Sequence, residues 1–340
     1  MAALMSSTVV LNVLLVVVGL LLVAAVFSAR LIIMPGRAHV WSTPKSVGLD
    51  YEDITFEAQD GVKLVGWFMP AAERHGERAP VVISVHGWPW CRMGTQANSL
   101  LNDLPGSRPV HLLPFFKQLH DEGYSVLAAD HRNFGDSPHA GVITGGWLES
   151  YDLLGALDFL ENRADVDMAR VGVVGFSQGG TTLIFAGAQT DRIKAGIAVQ
   201  PTSANVFAVH YARALAGPLA PIITSLSQLF YSLAGGPSLS SIQPALAAAG
   251  VRFPLLFVQG TGDRWGTVAD VEHMASMAPL STAIYPETSH RFEGYTWVLD
   301  NPDVTMKFFR THLAAPASAP PLPTSPATAL ALVNLSRESA

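Results

Sequence analysis

Residues 9–27 are apolar except for Asn12. At 1.5 Å per residue such a run covers a hydrocarbon core of about 30 Å, so it predicts one transmembrane helix. A cleaved signal peptide is the competing reading, and Val23-Ala24-Ala25 offers the small residues of a cleavage site. The apolar run is longer than a signal region and no charged segment precedes it, which favours an uncleaved anchor within residues 1–34.

After a polar, proline-containing tether over residues 35–50 the period changes. Residues 51–58 and 62–69 alternate around Asp60-Gly61, a hairpin signal. Residues 80–85 are continuously apolar, as in a strand buried on both faces. Similar runs recur at 124–129, 171–176, 195–199, 254–258 and 282–285. Helical spacing fills most of the gaps, at 112–121, 147–163, 178–189, 268–277 and 302–312. Strands alternating with helices predict an α/β fold over residues 51–313, with a mainly parallel twisted sheet and helices on both faces.

Two segments interrupt that rhythm. Residues 91–110 delay the helix expected after the third strand and predict a surface excursion near the mouth of the site. Residues 201–250 are rich in Ala, Leu, Ser and Pro and carry no charge between 214 and 234. They predict a helical cap, either packed on the sheet or serving as a lid that touches bilayer or apolar substrate. A second span is disfavoured, because Pro218 and Pro221 interrupt it and a crossing would split the strands between compartments. Residues 314–340, dominated by Ala, Pro and Ser, predict a disordered tail in which the Asn334-Leu335-Ser336 sequon is accidental. The chain carries no internal repeat.

The 340 residues, 49% of them hydrophobic, suffice for one large domain with appendages. A net charge of -6 and a charged fraction of 14% leave no basic stripe for nucleic acid. The mean hydropathy of +0.30 agrees with a membrane segment. Cys91 is the single cysteine, so neither an intramolecular disulfide nor a cysteine-based zinc site can form. Arg30, Arg37 and Lys45 follow the span and no Lys or Arg precedes it, which by the positive-inside rule puts the C-terminal part in the cytoplasm.

The candidate chemistry centres on Gly175-Phe176-Ser177-Gln178-Gly179-Gly180, between a strand-like and a helix-like stretch. Gly-x-Ser-x-Gly on a strand-to-helix turn is a nucleophile elbow, and Ser177 is its nucleophile. A serine hydroxyl needs a base, and the base needs a group to orient it. In this type of sheet the order is Ser, acid, His. Asp263 ends the strand and turn Leu255-Leu256-Phe257-Val258-Gln259-Gly260-Thr261-Gly262 and is the candidate acid; Thr267 is the better N-cap for the helix that follows. His290, in the loop after the last strand, is the candidate base. His86 and His131 precede the serine, which is the wrong order. The oxyanion donors are the backbone N–H groups of Gln178 and of Trp88, after His86-Gly87. Trp88 and Trp90 can wall an acyl pocket or simply pack their loop.

Taken in order, His86-Gly87-Trp88, Asp130-His131-Arg132-Asn133-Phe134-Gly135-Asp136-Ser137, the elbow, Gly260-Thr261-Gly262-Asp263 and Ser289-His290 resemble the α/β-hydrolase superfamily. Within it they are most similar to membrane-anchored BEM46-like and serine-aminopeptidase-like hydrolases, over residues 51–313. Trp88-Pro89-Trp90, where a glycine-richer loop is common, and the 91–110 excursion depart from that group. Ser177 disfavours members with an aspartate nucleophile. The resemblance implies a serine hydrolase acting on ester or thioester, acyl or lipid-like small molecules, with the bilayer as its other partner and no metal or organic cofactor. A peptidase or amidase using the same triad, and a catalytically silent binding or scaffold protein, are the alternatives.

Overall fold

The computed structural model describes residues 2–72, 78–99 and 105–314. The disordered tail expected beyond residue 314 lies outside the described residues, as does the centre of the 91–110 excursion. A long helix, α1 (Ala2–Ile33), leads the chain. The hairpin expected around Asp60-Gly61 forms β1 (Glu52–Glu57) and β2 (Lys63–Met69), paired antiparallel. Next come β3 (Ala79–Val85), a small ribbon of β4 (Gly94–Thr95) and β5 (Val110–His111), α2 (Leu113–Asp121) and β6 (Ser125–Ala129). The second half runs α3 (Ser150–Glu161), β7 (Val166–Phe176), α4 (Gln178–Gly187), β8 (Ala195–Val199), α5 (Ala204–Ala216), α6 (Ala220–Leu233) and α7 (Pro244–Ala248). It closes with β9 (Leu255–Val258), α8 (Val268–Met277), β10 (Ser281–Ile284), α9 (Arg291–Asp300) and α10 (Pro302–His312).

Eight strands form one sheet in the order β1-β2-β6-β3-β7-β8-β9-β10. β1, β2 and β6 pair antiparallel in turn, and every pair from β6 to β10 is parallel. The two sheet faces bury separate cores. Apolar residues of α3, α4, α7 and α8 cover one face, and those of α2, α9 and α10 cover the other. Buried on both sides, β3 and β8 have no exposed position, which is why their sequences read as unbroken apolar runs.

Residues 35–50 do not hang free of the domain. Ala38, Val40, Trp41 and Val47 pack on the second core, and Leu49 is buried in it. The first half of the 91–110 excursion is likewise anchored: Cys91 and Met93 are buried and Arg92 pairs with buried Asp130. The segment between β8 and β9 is helical, as its sequence predicts, with α5 and α6 joined by a turn at Gly217–Leu219. One element departs from expectation. The sequence places His290 in a loop after the last strand and names no helix directly after it, whereas α9 begins at Arg291 with His290 as its N-cap.

Candidate active site

β3 and β7 run side by side and parallel, with Val85 opposite Gly175, so the loops after them open at the same sheet edge. Open α/β sheets bind ligands at that C-terminal edge. Ser177 follows β7 at once, with φ 53° and ψ -117° at the N-terminus of α4. A non-glycine residue there stores on the order of 1–3 kcal/mol of strain and persists only where its surroundings dictate it. Here they do. A Cβ on Gly175 would overlap the Gly179 carbonyl, and one on Gly179 would overlap the Val85 carbonyl. Only glycine at both places lets β3, β7 and α4 close this tightly. The Ser177 N–H is fixed to Val199 O of β8 at 2.8 Å.

Two N–H groups beside this serine lack acceptors among the described residues. Gln178 opens α4, so its N–H has no intrahelical partner, and none outside the helix accepts it. The Trp88 N–H is equally unpartnered. Its loop abuts the nucleophile: a Cβ on Gly87 would stand 3.1 Å from Ser177 Cβ. These are the two N–H groups that the sequence offers as oxyanion donors.

Asp263 lies buried midway along the loop between β9 and α8. Trp265 and Gly266 N–H donate to its Oδ1 at 2.9 and 3.0 Å, and the Gln259 amide donates to Oδ2 at 3.3 Å. β9 is separated from β7 by β8, a gap of about 9–10 Å at ordinary strand spacing, so Asp263 reaches Ser177 only through an intermediary. That intermediary is Arg291. Its Nη1 pairs with Asp263 Oδ2 and donates to Thr202 Oγ1 at 3.1 Å. Its Nη2 donates to Ser177 Oγ at 3.0 Å and to Gln200 O at 2.9 Å. Burial is the largest single influence and opposes the charge, but the Asp263 carboxylate and Tyr295 together outweigh it and the guanidinium pKa is raised. Tyr295, one turn along α9, interacts with both Ser177 and Arg291; burial, opposed by the Arg291 charge, pushes its phenol up to about 12.

His290 stands outside this network. Its Nδ1 accepts the Glu293 N–H at 3.3 Å, and its Nε2 lies 3.0 Å from Glu293 Oε1 without the alignment of a hydrogen bond. It bonds to neither Ser177 nor Asp263. The structure therefore brings Ser177, Asp263, Gln178 and Trp88 together, and sets Arg291 where the sequence places the base. An arginine has no acceptor and keeps its proton, so it cannot take the serine's. Arg291 and Tyr295 are the site residues that the sequence pattern alone misses. Arg291, Phe292, Tyr295 and Val298 are buried at helical spacing, and that spacing is the one signal that points to them.

The earlier motifs serve as supports. His86 Nε2 accepts the His131 N–H at 3.0 Å, and burial together with His131 holds the His86 pKa well below its ordinary value, keeping it neutral as an acceptor requires. His131 faces Asp152 at 3.2 Å, and Arg132 clamps Asp152 to Asp60. Trp90 is buried, edge-on to Tyr295 with centroids 5.0 Å apart. Trp88 is partly exposed and edge-on to Phe207 of α5 at 5.8 Å. Phe207 also stacks on Tyr211, meets Trp265 and lies 5.7 Å from the Arg291 guanidinium, so an aromatic roof from α5 covers the group next to Ser177. Among the described residues no cluster of His, Cys, Asp or Glu is arranged to hold a metal ion.

A family model for the alpha/beta hydrolase fold matches residues 80–219. The Salmonella typhimurium protein YfhR is 27% identical over 274 residues, 78% of this chain and 83% of its own. The Bacillus subtilis peptidase YuxL is 26% identical over 181 residues, 51% of this chain and 24% of its own. Among solved structures, a Pyrococcus furiosus esterase superposes with a TM-score of 0.65 at 22% identity, covering 84% of this chain and 99% of its own. A Pyrococcus horikoshii acylaminoacyl peptidase gives 0.58 at 17% identity, covering 80% and 43%. With the eight-stranded sheet and the strained serine at its C-terminal edge, these likenesses give the chain the α/β-hydrolase fold, with residues 80–219 matching the family model.

Proposed function

We propose that the chain is a membrane-anchored serine hydrolase that cleaves ester or thioester bonds of acyl, lipid-like substrates through an acyl-enzyme on Ser177. The observation that carries this reading is the strained Ser177 between two unpartnered N–H groups, those of Gln178 and Trp88. A carbonyl attacked by Ser177 Oγ would place its oxyanion against those donors, each worth about 2.7–4 kcal/mol to a transition state. His290 is the base in this reading and Asp263 holds it. Reaching that arrangement requires the segment ahead of α9 to exchange Arg291 for His290 beside Ser177. The helix over Ser7–Ile33 is the membrane anchor, with the hydrolase part on the cytoplasmic side.

Two other readings each have an observation behind them. Likeness to the acylaminoacyl peptidase and to YuxL favours amide cleavage. The Ser177–Arg291–Asp263 network, with His290 outside it, favours a silent binding protein. A fluorophosphonate probe on the full chain decides first. The wild type is expected to label, Ser177→Ala not to label, and His290→Ala to label at least ~100-fold more slowly. No labelling of the wild type, or equal labelling of Ser177→Ala, overturns the proposal. Turnover of acyl esters against aminoacyl anilides then separates esterase from peptidase.

A further inference from the structure

α5 and α6, the first two helices after β8, join the apolar N-terminal helix to the roof over Ser177. α6 lies along the last third of α1: Ser227 Oγ donates to Ala25 O at 3.1 Å, and Ala25 and Ala29 are buried one turn apart. Just below, the Ile143 N–H donates to Ile32 O at 2.9 Å and the Tyr231 hydroxyl donates to Ile143 O at 2.7 Å, so α1, the loop before α3 and α6 are clasped together. Ala220, Ile223, Ser227 and Tyr231 form the covered face of α6. Its other face carries Ile222, Leu229 and Leu233 in the open, Leu233 at 76% exposure, with Leu219 and Leu215 continuing the apolar surface towards α5.

Depth follows from the sequence. The uninterrupted apolar run of α1 ends at Phe27, and Arg30 is the first charge after it. Ser227 meets α1 at Ala25, two residues inside that run, which sets α6 at the boundary between acyl chains and headgroups. A 21-residue stretch without charge, 214–234, suits that boundary and is costly in water. The same unit turns its inner side to the site, where Phe207 of α5 packs on Trp88 and over Arg291.

We propose that the exposed face of α6, with the turn before it, lies in the bilayer surface beside α1, and that Ser177 takes its acyl substrate from the lipid phase beneath α5. This rests on the membrane-anchored hydrolase reading and names the physical state of its substrate.

Cys91 is buried, so a cysteine placed on the surface can be labelled selectively. Leu229→Cys and Leu233→Cys variants of the full chain, carrying an environment-sensitive fluorophore in phosphatidylcholine vesicles, are expected to be quenched by spin-labelled lipid. Val16→Cys in α1 is the membrane control and Asn162→Cys, exposed after α3, the aqueous one. Quenching at Val16 with none beyond the Asn162 level at both α6 positions overturns the proposal and leaves the anchor intact. No quenching at Val16 overturns the anchor itself. In parallel, the triple variant Ile222→Ser/Leu229→Ser/Leu233→Ser is expected to hydrolyse a vesicle-borne long-chain ester ~10-fold more slowly, with a soluble short-chain ester changed less than ~2-fold. Equal loss on both esters, or loss on neither, overturns it.

Discussion

Arg291 carries a charge into a place that leaves it 5% exposed, and its partner Asp263 is fully enclosed. Taking one member of such a pair away strands the other, at a cost of about 3–5 kcal/mol, whereas removing both charges together is often mild. Arg291→Met is therefore expected to lower the urea midpoint sharply, and Asp263→Asn/Arg291→Met to recover part of the loss. Equilibrium unfolding of the two single variants and the double variant measures this coupling. Losses that simply add would show that the two residues do not act as a unit. The sequence exposes only half of the pair. Asp263 announces itself by a glycine-rich turn after an apolar strand. Arg291 sits among Glu287, Ser289, His290 and Glu293 and has the surroundings of a solvated surface charge. Its burial is produced by contacts more than 25 residues away, with Asp263, Gln200 and Thr202, which the helical spacing of Arg291, Phe292, Tyr295 and Val298 does not name.

At the scale of elements, strands and helices that bury one strong face are legible in the amino-acid pattern itself. The runs at 195–199 and 268–277 coincide with β8 and α8. The start of α9 escapes because histidine is not among the preferred N-cap residues; Glu293 accepts from the Ser289 N–H and hydroxyl, one residue before the N-cap. That cap matters chemically, since it keeps both imidazole nitrogens of His290 turned to Glu293 rather than to Ser177. The elbow is the opposite case: a short motif whose glycines state their reason in the packing. Gly175→Ala would drive a methyl into the Gly179 carbonyl, backbone against backbone, which no side-chain rotation relieves. It is expected to cost about 1–3 kcal/mol in thermal or urea unfolding. It should also abolish probe labelling of Ser177 in whatever fraction stays folded. A variant with wild-type stability and labelling would mean that β7 and α4 are held less closely than the Gly175–Gly179 contact requires.

Across the whole molecule, the anchor and the tether expected from the sequence also make contacts with the domain. Residues 35–50 pack on the core, and α1 is clasped by α6 and by the backbone of Ile143. Periodicity shows that α1 and α6 are apolar helices but carries no information that they lie against each other, because that contact joins residues some 200 positions apart in sequence. The consequence is that α1 is part of the domain's packing. Deleting residues 1–34 would uncover the Ile223–Ser227–Tyr231 face of α6 while leaving its outer apolar face as exposed as before. Each apolar side chain that loses cover costs on the order of 1 kcal/mol, and that cost falls on α6 and its neighbours, since the sheet makes no use of α1. Hydrogen exchange on the truncated and full-length chains in the same detergent is therefore expected to show α6 amides opening at least ~10-fold more readily after truncation, with β3, β7 and β8 unchanged. Equal protection of α6 in both chains would return α1 to the role of a simple tether.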